Sequence, residues 1–200
     1  MEAVVEQGEV EVRHFLLATQ AFVFLCVGVC LFMDHSAKAE SGGISFYGVY
    51  HRTLLIIILG FGVGSYGLWR ASTYLARAGL AHLSVLGLRC LAVGLVLLLL
   101  TPYNKGAFFN WAHMSVGIVM ALVELAIVSQ LTRLHRSWQA LGALTVQLGG
   151  GVWAGASLPD WRFSYLLVGE LIFEAGFAWC LIEWTYALSS RRSRSIRVSR

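Results

Sequence analysis

Charged side chains are scarce in this sequence. They make up 13% of 200 residues, while hydrophobic residues make up 58%, and a soluble domain carries roughly 25% charged residues. The charges fall in the gaps between six apolar runs, each of about the 17–25 residues that cross a bilayer. The runs are His14–Met33, Thr53–Trp69, Leu83–Leu100, Ala112–Leu131, Ala140–Leu158 and Ser164–Leu188. The segments between them are too short to form a soluble domain. The pattern predicts an all-α, polytopic membrane protein with a bundle of six transmembrane helices.

Familiar catalytic signatures are also missing. The chain has no His-Glu-x-x-His, no Gly-x-Ser-x-Gly and no phosphate-binding glycine loop. Many membrane transferases use scattered acids, so these absences leave an enzyme open, but no pattern supports one. We therefore expect a protein without catalytic residues, metal site or cofactor, with a b-type haem as the alternative considered below.

The basic residues predict the topology. Ten of the 15 Lys and Arg residues fall on the side that holds both termini, four on the other side, and Arg89 within a span. The positive-inside rule then places both termini in the cytoplasm of a multi-pass cell-membrane protein. We predict a cytoplasmic head at 1–13, a six-helix transmembrane domain at 14–188, and a basic cytoplasmic tail at 189–200.

Two ionisable residues are predicted to pair inside the membrane. Arg89 in the third span and Glu124 in the fourth lie at similar distances from the inner ends of consecutive helices, roughly 12 Å deep at 1.5 Å per residue. Charged residues at such depth usually face protein and pair with each other. The sequence therefore predicts a structural Arg89–Glu124 ion pair.

Glu170 and Glu174 are four residues apart, so they lie on one face of the sixth helix. Two carboxyl groups this close in a low-dielectric medium do not easily both ionise. One interpretation is a proton or cation site, with Glu124 as a further member. The other is that protonated carboxyl groups bond to Gln147, Gln20 or nearby backbone, and both interpretations stay open.

Polar and aromatic side chains from four segments end at the outer face. These are Asp34, His35, Tyr47, Tyr50, His51, Arg52, Asn110, Trp111, His113 and, slightly deeper, Glu170. A polar mouth on an apolar bundle suits a small ligand or a lipid headgroup. An ordinary membrane interface has a similar composition, so that interpretation also stands.

The histidine spacing suggests a haem alternative. His51 and His113 head the second and fourth spans on the outer side, and His82 and His135 lie at the third and fifth on the inner side. A bis-imidazole haem b needs two such rings at one depth. This layout resembles the six-span, ascorbate-reducible b-type cytochromes. It departs from them in placing His135 between two arginines.

Three further stretches carry a second resemblance. They are Gly43-Ile44-Ser45-Phe46-Tyr47-Gly48, Leu68-Trp69-Arg70, and Ala92-Val93-Gly94 running to Thr101-Pro102-Tyr103, followed by His113. Residues 14–135 resemble an uncharacterised six-span bacterial membrane-protein family, a domain of unknown function distantly similar to DRAM/FRAG/Sfk-type proteins. The resemblance implies a compact six-helix bundle with an outer-face polar site around Ser45 and His113.

These patterns favour a protein that binds a lipid or small amphiphile at its outer face, or that serves as a helical subunit of a membrane complex. The alternatives are a proton-coupled small-molecule transporter that uses Glu124, Glu170 and Glu174, and a b-type haem electron-transfer protein. The expected partners are membrane lipids and a second copy or larger membrane complex, without nucleic acid.

Overall fold

A computed structural model describes residues 2–77, 82–157 and 165–198 of the chain. Six long helices occupy these ranges, together with three short ones. The long helices are α1 (Glu2–Met33), α4 (Leu54–Arg77), α5 (His82–Leu100), α6 (Ala107–His135), α7 (Trp138–Ala156) and α8 (Leu166–Val198). The short ones are α2 (Ala37–Gly42), α3 (Ile44–Tyr47) and a 3₁₀ turn, η1 (Tyr103–Lys105). The prediction of an all-α protein is confirmed.

Each predicted span corresponds to one long helix. Three segments are long and apolar enough to cross a membrane: His14–Met33, Leu54–Arg77 and Ala107–Leu134. Ser84–Leu100 is a shorter apolar helix. The count of six spans stays a prediction, and Leu158 and Ser164, at the predicted ends of the last two runs, lie outside the described residues. Residues 2–13 of the predicted head and residues 189–198 of the predicted tail continue the backbone of α1 and α8.

The long helices form a ring in chain order. Each long helix contacts the next one along the chain, α8 contacts α1, and α6 also contacts α8. The interior is filled by apolar side chains from all six helices, including Leu68, Leu88, Ile127, Ala143 and Phe177. This arrangement brings residues distant in sequence to the bundle interior.

The outer surface of the ring is apolar. Leu25, Leu55, Leu86, Leu122 and Val152, from five different helices, are each at least 60% exposed. Apolar surface on this scale exceeds what a soluble monomer exposes. Together with the three candidate spans, this surface indicates a membrane protein.

A polar-aromatic segment closes one end of the ring. We call residues 34–53, which include α2 and α3, the cap, and the end that it covers the cap end. The cap rests on α8, and its Ala39 and Tyr47 are fully buried against Val27, Ile57 and Leu167. The cap therefore belongs to the folded body of the protein.

Candidate functional site

The cap turns sharply between α2 and α3 at Gly43. Its φ of 66° lies in the left-handed region, which favours glycine. A Cβ atom at Gly43 would also collide with the carboxyl group of Glu170 on α8. Both constraints favour glycine at this position and set the end of α3 directly against Glu170.

Glu170 anchors the first turn of α3. Its Oε2 accepts a hydrogen bond from the Ile44 N–H at 2.6 Å, which satisfies a backbone donor that a helix start leaves open. The carboxyl group therefore fixes the residue immediately before Ser45.

His113 bonds through both nitrogens of its ring. Nδ1 lies 2.7 Å from the Thr101 carbonyl oxygen, and Nε2 lies 2.7 Å from the Ser45 Oγ. A carbonyl oxygen can only accept, so Nδ1 carries a proton. In the neutral ring Nε2 is then the acceptor, and the Ser45 hydroxyl donates to it. The Tyr103 ring meets the imidazole edge-on, with centroids 5.8 Å apart.

The C-terminal end of α3 is also held by hydrogen bonds. The Tyr47 hydroxyl donates to the Asp34 carbonyl oxygen at 2.9 Å, and the Thr53 hydroxyl donates to the Tyr47 carbonyl oxygen at 2.9 Å. Burial raises the pKa of Tyr47 to about 12, with smaller contributions from Asp34, Cys30 and Glu40. The hydroxyl therefore stays protonated and continues to donate at neutral pH.

Other residues of the predicted outer mouth take no part in the hydrogen bonds described above for Glu170, His113 and Tyr47. His35 pairs with Glu40 at 3.3 Å on α2. Tyr50 stacks on Phe46 and meets the exposed His51 ring edge-on. A further set is simply exposed to the surroundings: Arg52, Asn110 and Trp111. We call Ser45, His113 and Glu170 the cap site, because Ser45 bonds to His113 and Glu170 bonds to the backbone N–H of the residue before Ser45.

Sequence reasoning missed the Thr101 carbonyl, Tyr103 and the Ile44 N–H. Thr101-Pro102-Tyr103 carried part of the family resemblance, and that was the signal available for the first two. A backbone N–H at a turn has no side-chain signature, so the Ile44 contact required the structure.

A second polar group lies deeper in the ring. Glu124 is 3% exposed, and its Oε2 accepts from the Gln147 amide at 3.5 Å. Glu174 is close enough to interact electrostatically with Glu124. Gln147 is fully buried, and its Oε1 has no partner among the described residues. We call Glu124, Gln147 and Glu174 the buried acid cluster. Its Glu174 lies one helical turn, about 6 Å, along α8 from Glu170 of the cap site.

The predicted Arg89–Glu124 ion pair is wrong. Arg89 Nε donates to the Ser72 hydroxyl at 3.3 Å, and its guanidinium lies over the Trp69 ring, 5.6 Å from the centroid. Among the side chains that the structure describes, His35–Glu40 is the sole carboxylate ion pair.

Helix rotation explains the error. Gly87 on α5 faces Ile127 of α6. Arg89, two residues later, is turned by about 200° at 3.6 residues per turn. It therefore points toward α4, away from Glu124.

The haem alternative stays a prediction. Iron ligation by His113 would require a ring nitrogen to leave Ser45 or Thr101, because both nitrogens are hydrogen-bonded. The side chains of His82 and His135 lie outside the described part of the chain. In that part, no three His, Cys, Asp or Glu side chains converge in a metal-binding arrangement.

Comparisons with protein-family models, with curated proteins and with solved structures gave no match.

Proposed function

We propose that this chain is a multi-pass protein of the cell membrane that binds a lipid or small amphiphile at its cap end. All six long helices would cross the bilayer, with both termini in the cytoplasm as the arginine distribution predicts. The amphiphile's polar group would lie at the cap site, and its chain would lie along the apolar outer surface.

One observation carries this proposal. His113 joins Ser45 of the cap to the end of α5, and both side chains are only half-buried. Glu170 adds a carboxyl group from a third element. A few convergent polar groups at the edge of an apolar surface are what a bound amphiphile requires.

The surroundings support an amphiphile over a wholly polar ligand. Large apolar side chains at the same end are strongly exposed: Phe32 at 94%, Leu100 at 65%, Phe108 at 78% and Trp111 at 68%. Phe108 and Trp111 lie shortly before His113 on α6, Leu100 directly precedes Thr101, and Phe32 lies just before the cap, so these side chains offer contact to an acyl chain.

Lipid analysis of protein purified in mild detergent tests the proposal. The wild type should retain a lipid class in near-stoichiometric amount, and His113→Phe should lose it because the new ring cannot hydrogen-bond. His51→Phe is the matched control, since His51 is exposed at the same end and outside the cap site. Equal lipid retention in both variants, or none in the wild type, would contradict the proposal and favour a role as a subunit in a larger complex.

A proton-coupled transporter is the second candidate function, and the buried acid cluster favours it. Two carboxyl groups beside a buried amide oxygen that has no partner among the described residues can take up a proton or a cation. Proton flux into liposomes should fall with Glu174→Gln or Glu124→Gln and persist with Glu183→Gln, further along α8. Flux unchanged by all three substitutions would remove this candidate.

A further inference from the structure

We propose that Ser45 is a nucleophile and His113 its general base, so that the cap site hydrolyses a carboxylic ester of an amphiphile. This inference rests on the proposed binding function and adds a reaction at the same site. An acyl-transfer site needs a hydroxyl bonded to a base, and a third group that orients the base. All three parts are present in Ser45, His113 and the Thr101 carbonyl.

The proton positions suit the reaction. The Thr101 carbonyl oxygen holds the proton on His113 Nδ1, so the lone pair of Nε2 faces the Ser45 hydroxyl at 2.7 Å. An acceptor on Nδ1 that fixes the tautomer of the base is the role that a carboxylate plays in a serine–histidine–aspartate triad. A carbonyl supplies the same orientation without a charge.

The nucleophile is held in place before substrate arrives. Ser45 lies in a four-residue helix whose start is bonded to Glu170 and whose end is bonded to Asp34 and Thr53. A fixed attacking group reduces the entropy cost of reaching the transition state. Glu170 is a positioning residue in this scheme, because it acts through the Ile44 backbone.

Ser45 differs from the other serines whose side chains the structure describes. Ser41, Ser65, Ser72 and Ser157 donate to backbone carbonyl oxygens. Ser45 alone among the described serines bonds to a histidine ring. The missing Gly-x-Ser-x-Gly does not count against it, because that motif places serine on a strand-to-helix turn, and such sites are recognised by geometry across unrelated folds.

The reaction balances with water as the co-reactant. Ser45 Oγ forms a bond to the ester carbonyl carbon while its proton passes to His113 Nε2. The bond from that carbon to the alcohol oxygen then breaks, and the alcohol leaves with the proton from Nε2. Water then adds to the carbonyl carbon of the acyl-serine and gives a proton to Nε2. The bond from that carbon to Oγ breaks, Oγ recovers the proton from Nε2, and a carboxylic acid is released.

An alkyl fluorophosphonate, which reacts with activated serines, tests this directly. The probe is applied to the full chain in mild detergent, and the labelled peptide is mapped by mass spectrometry. We expect label on Ser45, no label in Ser45→Ala, and a rate about 10²–10⁴-fold lower in His113→Gln, the usual contribution of a general base. Ser41→Ala, which alters an exposed serine of the cap, should label as the wild type does.

The outcomes separate this inference from the binding proposal. Wild-type protein that retains its lipid but carries no label on Ser45 overturns the hydrolase inference and leaves the binding function intact. A His113→Gln variant that labels at the wild-type rate also overturns it. Mapping the wild-type label needs no variant, so a substitution that fails to fold does not prevent the test.

Discussion

The carboxyl group of Glu170 accepts a hydrogen bond from the backbone N–H of Ile44 at 2.6 Å, across 126 positions of sequence. Since Gly43 lies against the same carboxyl group, one side chain of α8 contacts both residues at the start of α3 and helps to hold the cap on the bundle. This contact joins the cap, which follows the first long helix, to the last long helix of the chain.

Removing the Glu170 carboxyl group should therefore loosen the cap. Glu170→Ala leaves the Ile44 N–H without its acceptor, and an unsatisfied buried donor costs about 1–3 kcal/mol of unfolding free energy. Glu170→Gln keeps an acceptor oxygen and should lose less. Thermal melting in detergent measures both, with Glu183→Ala, on the same helix, as control. Equal losses in Glu170→Ala and Glu183→Ala would contradict the anchoring role.

Gly43→Ala should destabilise the protein for two reasons. Its φ of 66° strains any side chain, and a Cβ atom meets the Glu170 carboxyl group. A non-glycine residue held in such a conformation costs about 1–3 kcal/mol.

Gly62→Ala is the matched control, because a Cβ atom there meets nothing within 4 Å. It should be neutral or stabilise its helix by about 0.5–1 kcal/mol. In a Glu170→Ala background, Gly43→Ala should cost less unfolding free energy than in the wild type, because its Cβ atom no longer meets a carboxyl group. Equal melting temperatures for the two glycine variants would contradict the close contact.

The long helices could be predicted from the sequence, because the length of an apolar run indicates the length of the helix that it forms. Each apolar run lies largely within one long helix, but several helices extend beyond their runs, as α6 begins at Ala107 rather than Ala112. The short helices α2 and α3 were not predicted. Four to six residues interrupted by glycine carry no periodicity, and their shape depends on contacts with α8.

The site was partly predictable. The family resemblance drew attention to Ser45 and His113, and the structure places them in contact. Their ligand-binding role stays a prediction. The direction of Arg89 was not predictable from depth, since depth fixes position along a helix and leaves the rotation about its axis open.

Tyr47 should give the protein an alkaline transition. Burial raises its pKa from 10.0 to about 12 in the folded state. The unfolded chain loses this proton first, so the contribution of Tyr47 is complete below about pH 10 and is lost as the pH rises toward 12.

Melting temperature measured between pH 9 and 12, in steps of roughly one pH unit, follows this loss. Tyr47→Phe should be less stable at neutral pH, because its hydrogen bond to Asp34 is gone, and should show a smaller alkaline decline. Tyr66→Phe, which alters a tyrosine that is 58% exposed, should keep the decline of the wild type. Parallel curves for wild type and Tyr47→Phe would contradict the assignment.

The separate partners of Arg89 and Glu124 make a prediction about additivity. Arg89 bonds to Ser72 and Glu124 to Gln147, so neither substitution removes a contact that the other needs. The losses of unfolding free energy from Arg89→Leu and Glu124→Leu should add in the double variant to within about 0.3–0.5 kcal/mol, as independent sites do. An ion pair would instead make the double variant recover much of the loss.

Glu124→Leu with Gln147→Leu is the contrasting cycle. These two buried side chains share a hydrogen bond, and residues in one such network couple by about 0.5–3 kcal/mol. Each single change leaves a buried polar group without its partner, whereas the double change replaces both with apolar groups that suit the interior. Chemical unfolding of all five variants beside the wild type gives both coupling energies from one series. Coupling in the Arg89 cycle and none in the Gln147 cycle would show that Glu124 points toward α5, and would remove the structural support for the buried acid cluster.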